Sequence, residues 1–426
     1  MITEDLIYYL WQTKQLYDLA TTSGEIISVI DYGSRNHASG PDFVNAKIKI
    51  NGIIWAGSVE MHVLSSDWLR HTHDSDPAYH NVILHVVYQD DKPVTYSSRQ
   101  NFRIPTTEIK KYINPIIMKN YNTLRESTTW IPCEKLLNEE LTQSLSLRYP
   151  ALTGEKLQVS LENIHRLYVN NQFDYGESLY QLTAHYFGGP QNGPIFERLA
   201  NEVPLHILQK NIFDPLRIQS ILFGVSSLMQ KSTVQDDYSE KLHAEFVIQK
   251  AKYGFKVMED AAWKYAGMMP SGQPAFRLAQ MIAVLLRQTN LLDDLLNASC
   301  LSDMRLILSA EADVYWQTHY QFGKDTSKHS TVITKPLQDR IIINAFVPFL
   351  FFYGSQKDDQ YYKDFALQLL DEMKPEENQT ITKWKNLGVR CETSLESQAL
   401  IYLRHQYCSK SGCLSCVIGN KIVSGK

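Results

Sequence analysis

Residues 40–90 carry Asp42, Glu60, His62, Asp67, His71, His73, Asp76, His80 and His85, five of the chain's 13 histidines among them. Carboxylates and imidazoles are the side chains that hold divalent metals and exchange protons near neutral pH. Glu60 and His62 lie two apart in a run, 53–63, that alternates like a strand, so they share one face. The run 43–50 alternates too, and Asn51-Gly52 between them is a strong hairpin signal. Pairing across that turn joins residues whose numbers sum to about 103, which sets Glu60 opposite Phe43 and beside Asp42. Two carboxylates this close suit Mg²⁺ or Mn²⁺ shared with substrate phosphate and water. Such a site activates water and stabilises a departing phosphate oxygen. His71 and His73, with Asp67, Asp76, His80 and His85, also suit zinc or another transition metal, although their spacing matches no known zinc signature. A purely structural reading makes His85 a core residue and the others loop stabilisers. It pairs Glu60 with Lys47 or Lys49, an exposed pair that would be worth little.

The elements that would position these groups read as follows. A helix is expected over 3–18, with Thr3 as its cap and Glu4 and Asp5 at its positive end. A strand over 25–33 and the 43–63 hairpin come next. Ser65–Asn81 is polar and accommodates a short helix. Val82–Tyr88 is apolar enough for a central strand, and 94–96 is a further short strand. From 106 onward helical patterns dominate, with no repeat at a fixed period. The expected organisation is an α+β chain with an α/β domain over 1–105, an irregular helical domain over 106–390, and a cysteine-containing segment over 391–426.

At 44% hydrophobic and 21% charged residues the 426-residue chain reads as globular. Its net charge of −4 supplies no global basic field, so a nucleic-acid partner would need a local patch. No run of about 18 apolar residues offers a membrane span. The acidic N-terminus lacks a signal-peptide pattern, so the expected location is cytoplasmic. Six cysteines in that compartment point to thiols or metal ligands. Cys408, Cys413 and Cys416 fall within nine residues and could hold zinc or an iron–sulfur cluster, with Cys391, His405 or Cys133 as a fourth ligand.

Pro41-Asp42 followed by Glu60-Met61-His62 resembles the motif of the PD-(D/E)xK nuclease superfamily, with His62 where that superfamily usually has Lys. The resemblance covers residues 1–105. It implies a restriction-endonuclease-like core in the order helix-strand-strand-strand-helix-strand, metal-dependent cleavage of nucleic acid, and Asp42, Glu60, His62, His71 and His73 as the catalytic set. Glu4 or Asp5 would match an acidic residue that some members carry on the first helix. Some members also join one distant cysteine to three C-terminal ones around an iron–sulfur cluster, a part that Cys133 would fill. Two alternatives remain open: a binding or scaffold protein that kept the fold without the chemistry, and hydrolysis of a small phosphate compound. Over nearly its whole length the chain is similar to a bacterial family known as domain of unknown function 2851. The carrying residues are Gly40–Phe43, Gly57–His62, Asp67-Trp68, His71–His73, Tyr79–Val87, Phe196-Glu197, Val203-Pro204, Arg277 and Tyr407–Gly419. That likeness implies a bacterial cytosolic protein and no particular activity.

Overall fold

The structure, a computed structural model, describes residues 2–95, 103–229, 236–259, 263–288 and 290–425. α1 (Glu4–Gln12) is shorter than the helix expected over 3–18. The Thr13 hydroxyl donates back to the Tyr9 carbonyl at 2.6 Å, and Lys14 then takes a φ of 55°, which ends the helical winding. Thr3 precedes the helix without capping it; its hydroxyl instead bonds to that of Tyr121 at 2.8 Å. Leu6, Leu10 and Trp11 are fully buried, and the Trp11 indole donates to the Tyr32 carbonyl at 2.9 Å.

β1 (Ile27–Asp31) and β2 (Ser34–Arg35) both pair antiparallel with β3 (Phe43–Ile50), which pairs antiparallel with β4 (Ile53–Leu64). Asn51 and Gly52 take φ of 45° and 86°, the left-handed pair a two-residue hairpin turn requires. Near the turn Ile50 faces Ile53 and Lys49 faces Ile54. Further along, an extra residue enters β3 at Asn45, whose φ is 61°, and beyond it Phe43 faces Val59. The bulge shifts the register by one. It brings Asp42, rather than Phe43, level with Glu60.

After β4 the chain forms α2 (Asp67–Arg70) and a polar loop, then returns as β5 (Val82–Gln89), parallel to β4. Residues 82–87 are buried throughout, as a central strand requires. β6 (Thr106–Glu108) adds parallel to β5 and completes a mixed sheet in the order β1-β3-β4-β5-β6. The first helix after the sheet is α3 (Pro115–Arg125). Pro115 takes the first helical position, where its missing N–H costs nothing. The strand expected over 94–96 lies partly outside the described residues, and Thr95 pairs with Arg103 as a single bridge.

The chain divides into two compact units, Met1–Leu147 with Leu403–Lys426, and Arg148–Tyr402. The first therefore runs past residue 105 and takes in the chain's end. α3 and α4 (Glu139–Ser146) grip the terminal helix Val417–Ser424: Asn120 donates to the Ile422 carbonyl at 2.8 Å and Lys421 to the Ser144 hydroxyl at 2.7 Å. The second unit is mostly helical. It includes α5 (Tyr149–Asn170) and α6 (Tyr175–Glu202), which breaks at Gly189 where φ is 63°. Within it Phe196 is fully buried against Trp263, and Glu197 meets His185 at 2.7 Å. Among the described residues no helix is long and apolar enough to cross a membrane.

Gly57 explains why the stretch before Glu60 needs a residue without a side chain. A Cβ there would lie 2.4 Å from the Asn81 carbonyl oxygen. Gly57→Ala should therefore force β4 and β5 apart and cost about 1–3 kcal/mol. Gly154→Ala, in open space on α5, should be neutral or stabilising by up to about 1 kcal/mol. Denaturant melts of the two variants check this; equal midpoints would show that the β4–β5 approach is not tight.

Candidate metal centre

Glu60 sits in the middle of β4 with its side chain only 6% exposed. Its Oε2 accepts the Asp42 amide at 3.0 Å. Asp42 answers through its own carboxylate, where Oδ2 accepts the Met61 amide at 3.0 Å and Oδ1 meets Arg35 at 2.9 Å. The Arg35 guanidinium also lies 3.5 Å over the Tyr8 ring. Both oxygens of Asp42 are thus engaged in hydrogen bonds. Glu60 Oε1 instead turns to imidazoles, with His73 Nε2 at 3.3 Å and His62 Nε2 at 3.5 Å. Lys47 and Lys49 are exposed and are not its partners.

Around that oxygen three histidines gather. His62 Nε2 is 3.2 Å from His71 Nδ1. The ligand atoms of His62, His71 and His73 all lie within 4.8 Å of one another. With Glu60 they make a donor set of nitrogen and one carboxylate, the kind zinc and other first-row ions take. His62 and His73 are buried while His71 is exposed, so the group is reached from solvent on one side.

His85, Tyr79 and Trp68 hold this group in place. His85, fully buried on β5 beside Glu60, places Nε2 2.8 Å from His62 Nδ1. The bond fixes the His62 ring so that Nε2 faces the cluster. The other His85 nitrogen, Nδ1, is buried without a hydrogen-bond partner. Tyr79 stacks on His73 at 3.7 Å and Trp68 packs edge-on against His85 at 5.3 Å. The remaining acids of the loop serve its backbone. Asp67 accepts the Leu64 amide and pairs with Arg70, and Asp76 caps the short turn at Ala78. His80 is not part of the cluster. Glu4, on α1, accepts the Tyr8 hydroxyl at 3.3 Å, and its carboxyl is raised by burial and then by Asp42. Arg35 and Tyr8 carry no sequence signal of their own, since they reach the site only through the fold.

Burial sets the protonation states. It pushes His62 down to about 2, helped by His85, His73 and His71, and pushes His85 down to about 3. Burial and then Asp42 push Glu60 up to about 9. His62 and His85 are therefore neutral, while Glu60 holds a proton at neutral pH. For His62 and His85 the folded values lie below the ordinary 6.5. The unfolded chain then binds more protons below that pH, so stability falls as pH drops from about 6.5 toward 3. Glu60 has the opposite sign: its contribution is full below about 4.5 and is lost as pH rises toward 9. His85→Gln should flatten the acid-side loss by up to about 1.4 kcal/mol per pH unit. Metal-free protein melted at pH 7.5 and 5.0 tests this; identical losses in both proteins would mean that His85 is not buried neutral.

No curated protein and no solved structure matches the chain. A family model described as "Protein of unknown function (DUF2851)" matches residues 4–379, a span that holds all of Asp42, Glu60, His62, His71 and His73 and stops short of Cys408, Cys413 and Cys416. The chain, with its histidine cluster set into a mixed sheet, belongs to the DUF2851 family.

Proposed function

We propose that the first unit hydrolyses phosphodiester bonds of nucleic acid in a metal-dependent reaction at His62, His71, His73 and Glu60. The carrying observation is the meeting of Asp42 and Glu60-x-His62 on adjacent strands, with two more imidazoles closing the group. The path of the chain supports it. One helix precedes three antiparallel strands, β1, β3 and β4; a short helix then leads to β5, parallel to β4. This path is similar to the order that the PD-(D/E)xK resemblance implies, and Glu4 is near enough to Asp42 for that charge to raise its carboxyl, which supports the reading.

Beside the Asp42–Glu60 pair, where Mg²⁺ or Mn²⁺ is the sequence-based expectation, the imidazoles add nitrogen donors. Asp42 is held by Arg35 and the Met61 amide and orients Glu60 through its own amide. Nitrogen donors favour Zn²⁺, Mn²⁺ or Fe²⁺ over Mg²⁺. A divalent cation held there would lower the pKa of water and neutralise charge on a phosphate oxygen. Glu60, once deprotonated, offers Oε1 to that cation beside the imidazoles. His85 keeps the His62 ring in register. Arg70, whose side chain is 69% exposed, offers positive charge at the solvent side of the cluster.

Two measurements test this reading. Metal-free protein reloaded with Mn²⁺ or Zn²⁺ should cleave single-stranded or duplex DNA or RNA, and Glu60→Gln and His73→Gln should each lose about 100-fold or more with unchanged circular dichroism. Full activity in Glu60→Gln would remove Glu60 from the mechanism, and no cleavage with any divalent ion would sink the nuclease reading. Independently, Glu60 must give up the proton it holds to about 9 before it can ligate. Metal affinity should then climb about tenfold per pH unit between 7 and 9 in the wild type and stay flat in Glu60→Gln. Parallel slopes would place Glu60 outside the coordination sphere.

A further inference from the structure

A cavity of about 110 Å³ lies wholly within the second unit. Its walls include α5, α6, the helix Ser394–Gln406 and a stretch, Ile342–Phe346, that winds as a π-helix. Pro348 follows that stretch and withholds the N–H that the Asn344 carbonyl would otherwise accept. Single π turns of this kind recur at functional sites. Most polar side chains of the wall are already committed. The Thr153 hydroxyl donates to the Leu395 carbonyl at 2.9 Å, Ser160 to the Lys156 carbonyl at 3.3 Å, and Asn344 to the Arg340 carbonyl at 3.0 Å. Two groups are not. Gln398, only 2% exposed, donates from Nε2 to Glu376 at 2.9 Å, yet its Oε1 is buried without a hydrogen-bond partner. Lys156 lines the same cavity, and among the described residues its amine has neither an ion-pair nor a hydrogen-bond partner. Burial lowers the pKa of that amine, and the opposing pull of Glu376 is the smaller effect.

We propose that Lys156 is a nucleophilic amine that captures a small aldehyde or ketone as an imine in this cavity. An amine held toward its neutral form keeps the lone pair that attacks a carbonyl carbon, and no neighbour ties that lone pair up. Attack forms a carbon–nitrogen bond and a carbinolamine. The carbonyl oxygen then leaves as water with the two amine protons, and the imine forms with no change in oxidation state. The carbinolamine carries an O–H donor, and Gln398 Oε1 is an acceptor without one. Tyr186, on the same wall, keeps its phenolic proton because burial and then Glu197 raise its pKa, so it is an acid available to the departing oxygen. The wall argues against an anion as the occupant. A carboxylate or phosphate would find one cation, Lys156, and would meet the Gln398 oxygen with Glu376 bonded behind it. A neutral carbonyl compound meets no such repulsion. The site rests on the second unit alone and does not depend on the metal centre.

The test is reductive trapping. Full-length protein is incubated with glycolaldehyde or hydroxyacetone and sodium cyanoborohydride, and the modified peptides are quantified by mass spectrometry. Lys156 should carry at least about tenfold more reduced adduct than the exposed Lys210 and Lys385, the ratio that one unit of pKa gives in free amine. Asn344→Leu fills the cavity and Gln398→Leu removes the acceptor. Each should bring the Lys156 adduct down to the level of Lys210 or below, with circular dichroism unchanged. In wild-type protein unfolded by guanidinium the three lysines should label alike. Lys156 labelled no more than Lys210 in the folded wild type, with both probes, overturns the proposal, and that comparison needs no variant to fold. Selectivity that survives unfolding overturns it too, because the cause would then be local sequence and not the cavity.

Discussion

The first unit is arranged around one buried carboxyl. An unpartnered carboxylate deep in a sheet is too costly to persist, so it protonates or finds partners. Glu60 has both kinds of relief. One oxygen takes the Asp42 amide and the other faces His62 and His73. Each partner depends on a separate backbone device. The bulge at Asn45 brings Asp42 level with Glu60, the parallel pairing of β4 and β5 sets His85 beside it, and the turn at His71–His73 returns two imidazoles to the strand. Thr72 takes a φ of 61° in that turn, a left-handed conformation that a β-branched residue adopts at some cost. Register, bulge and loop strain serve the same few atoms.

The imidazole chain shows that the arrangement is not optimised for stability alone. If His62 donates from Nδ1 to His85 Nε2, its own Nε2 presents a lone pair toward His71, His73 and Glu60. His85 then carries its proton on Nδ1, which is buried and has no partner. A buried donor left unmade costs about 1–3 kcal/mol. The reverse tautomer aims a His62 N–H into the cluster and still leaves His85 Nδ1 unbonded. A core built for packing would place a leucine or valine at residue 85, like its neighbours Leu84, Val86 and Val87, all fully buried. What His85 contributes in exchange is orientation of the His62 ring, which matters only if the Nε2 lone pair is used.

Much of this was legible from local pattern. β3 spans the residues its alternation predicts, and β4 and β5 run only a residue beyond theirs, because polarity period and a two-residue turn act over short range. The density of acids and imidazoles over 40–90 drew notice for the same reason. What sequence reasoning missed came from irregularity and distance. A one-residue bulge is invisible to a periodic pattern, so Glu60 was set opposite Phe43 when Asp42 lies there. The partner of Asp42, Arg35, sits on a two-residue strand with no pattern to recognise. The sheet continues to Glu108 through β6, which at three residues is too short to register in the sequence beside the helices that follow. Cys133 could be named as one of several partners for the tail, but only the fold brings it to the tail's side.

The histidine cluster and the cysteine turns share more than a unit. One cleft is lined by Tyr8, Arg35 and His37 on one side and by Lys410–Ser415 on the other. Tyr8 and Arg35 are the residues that hold Asp42 and Glu4 in place, and Lys410–Ser415 is the turn between Cys408 and Cys416. Tyr9, on the same helix as Glu4 and Tyr8, reaches the terminal helix at Asn420. Anything that orders the cysteine turns therefore also shapes the wall facing Arg35. A turn of small and polar residues, Ser-Lys-Ser-Gly, has little apolar surface with which to order itself. The tail serves the cleft more than the sheet, because β1 to β6 already pair among themselves without it.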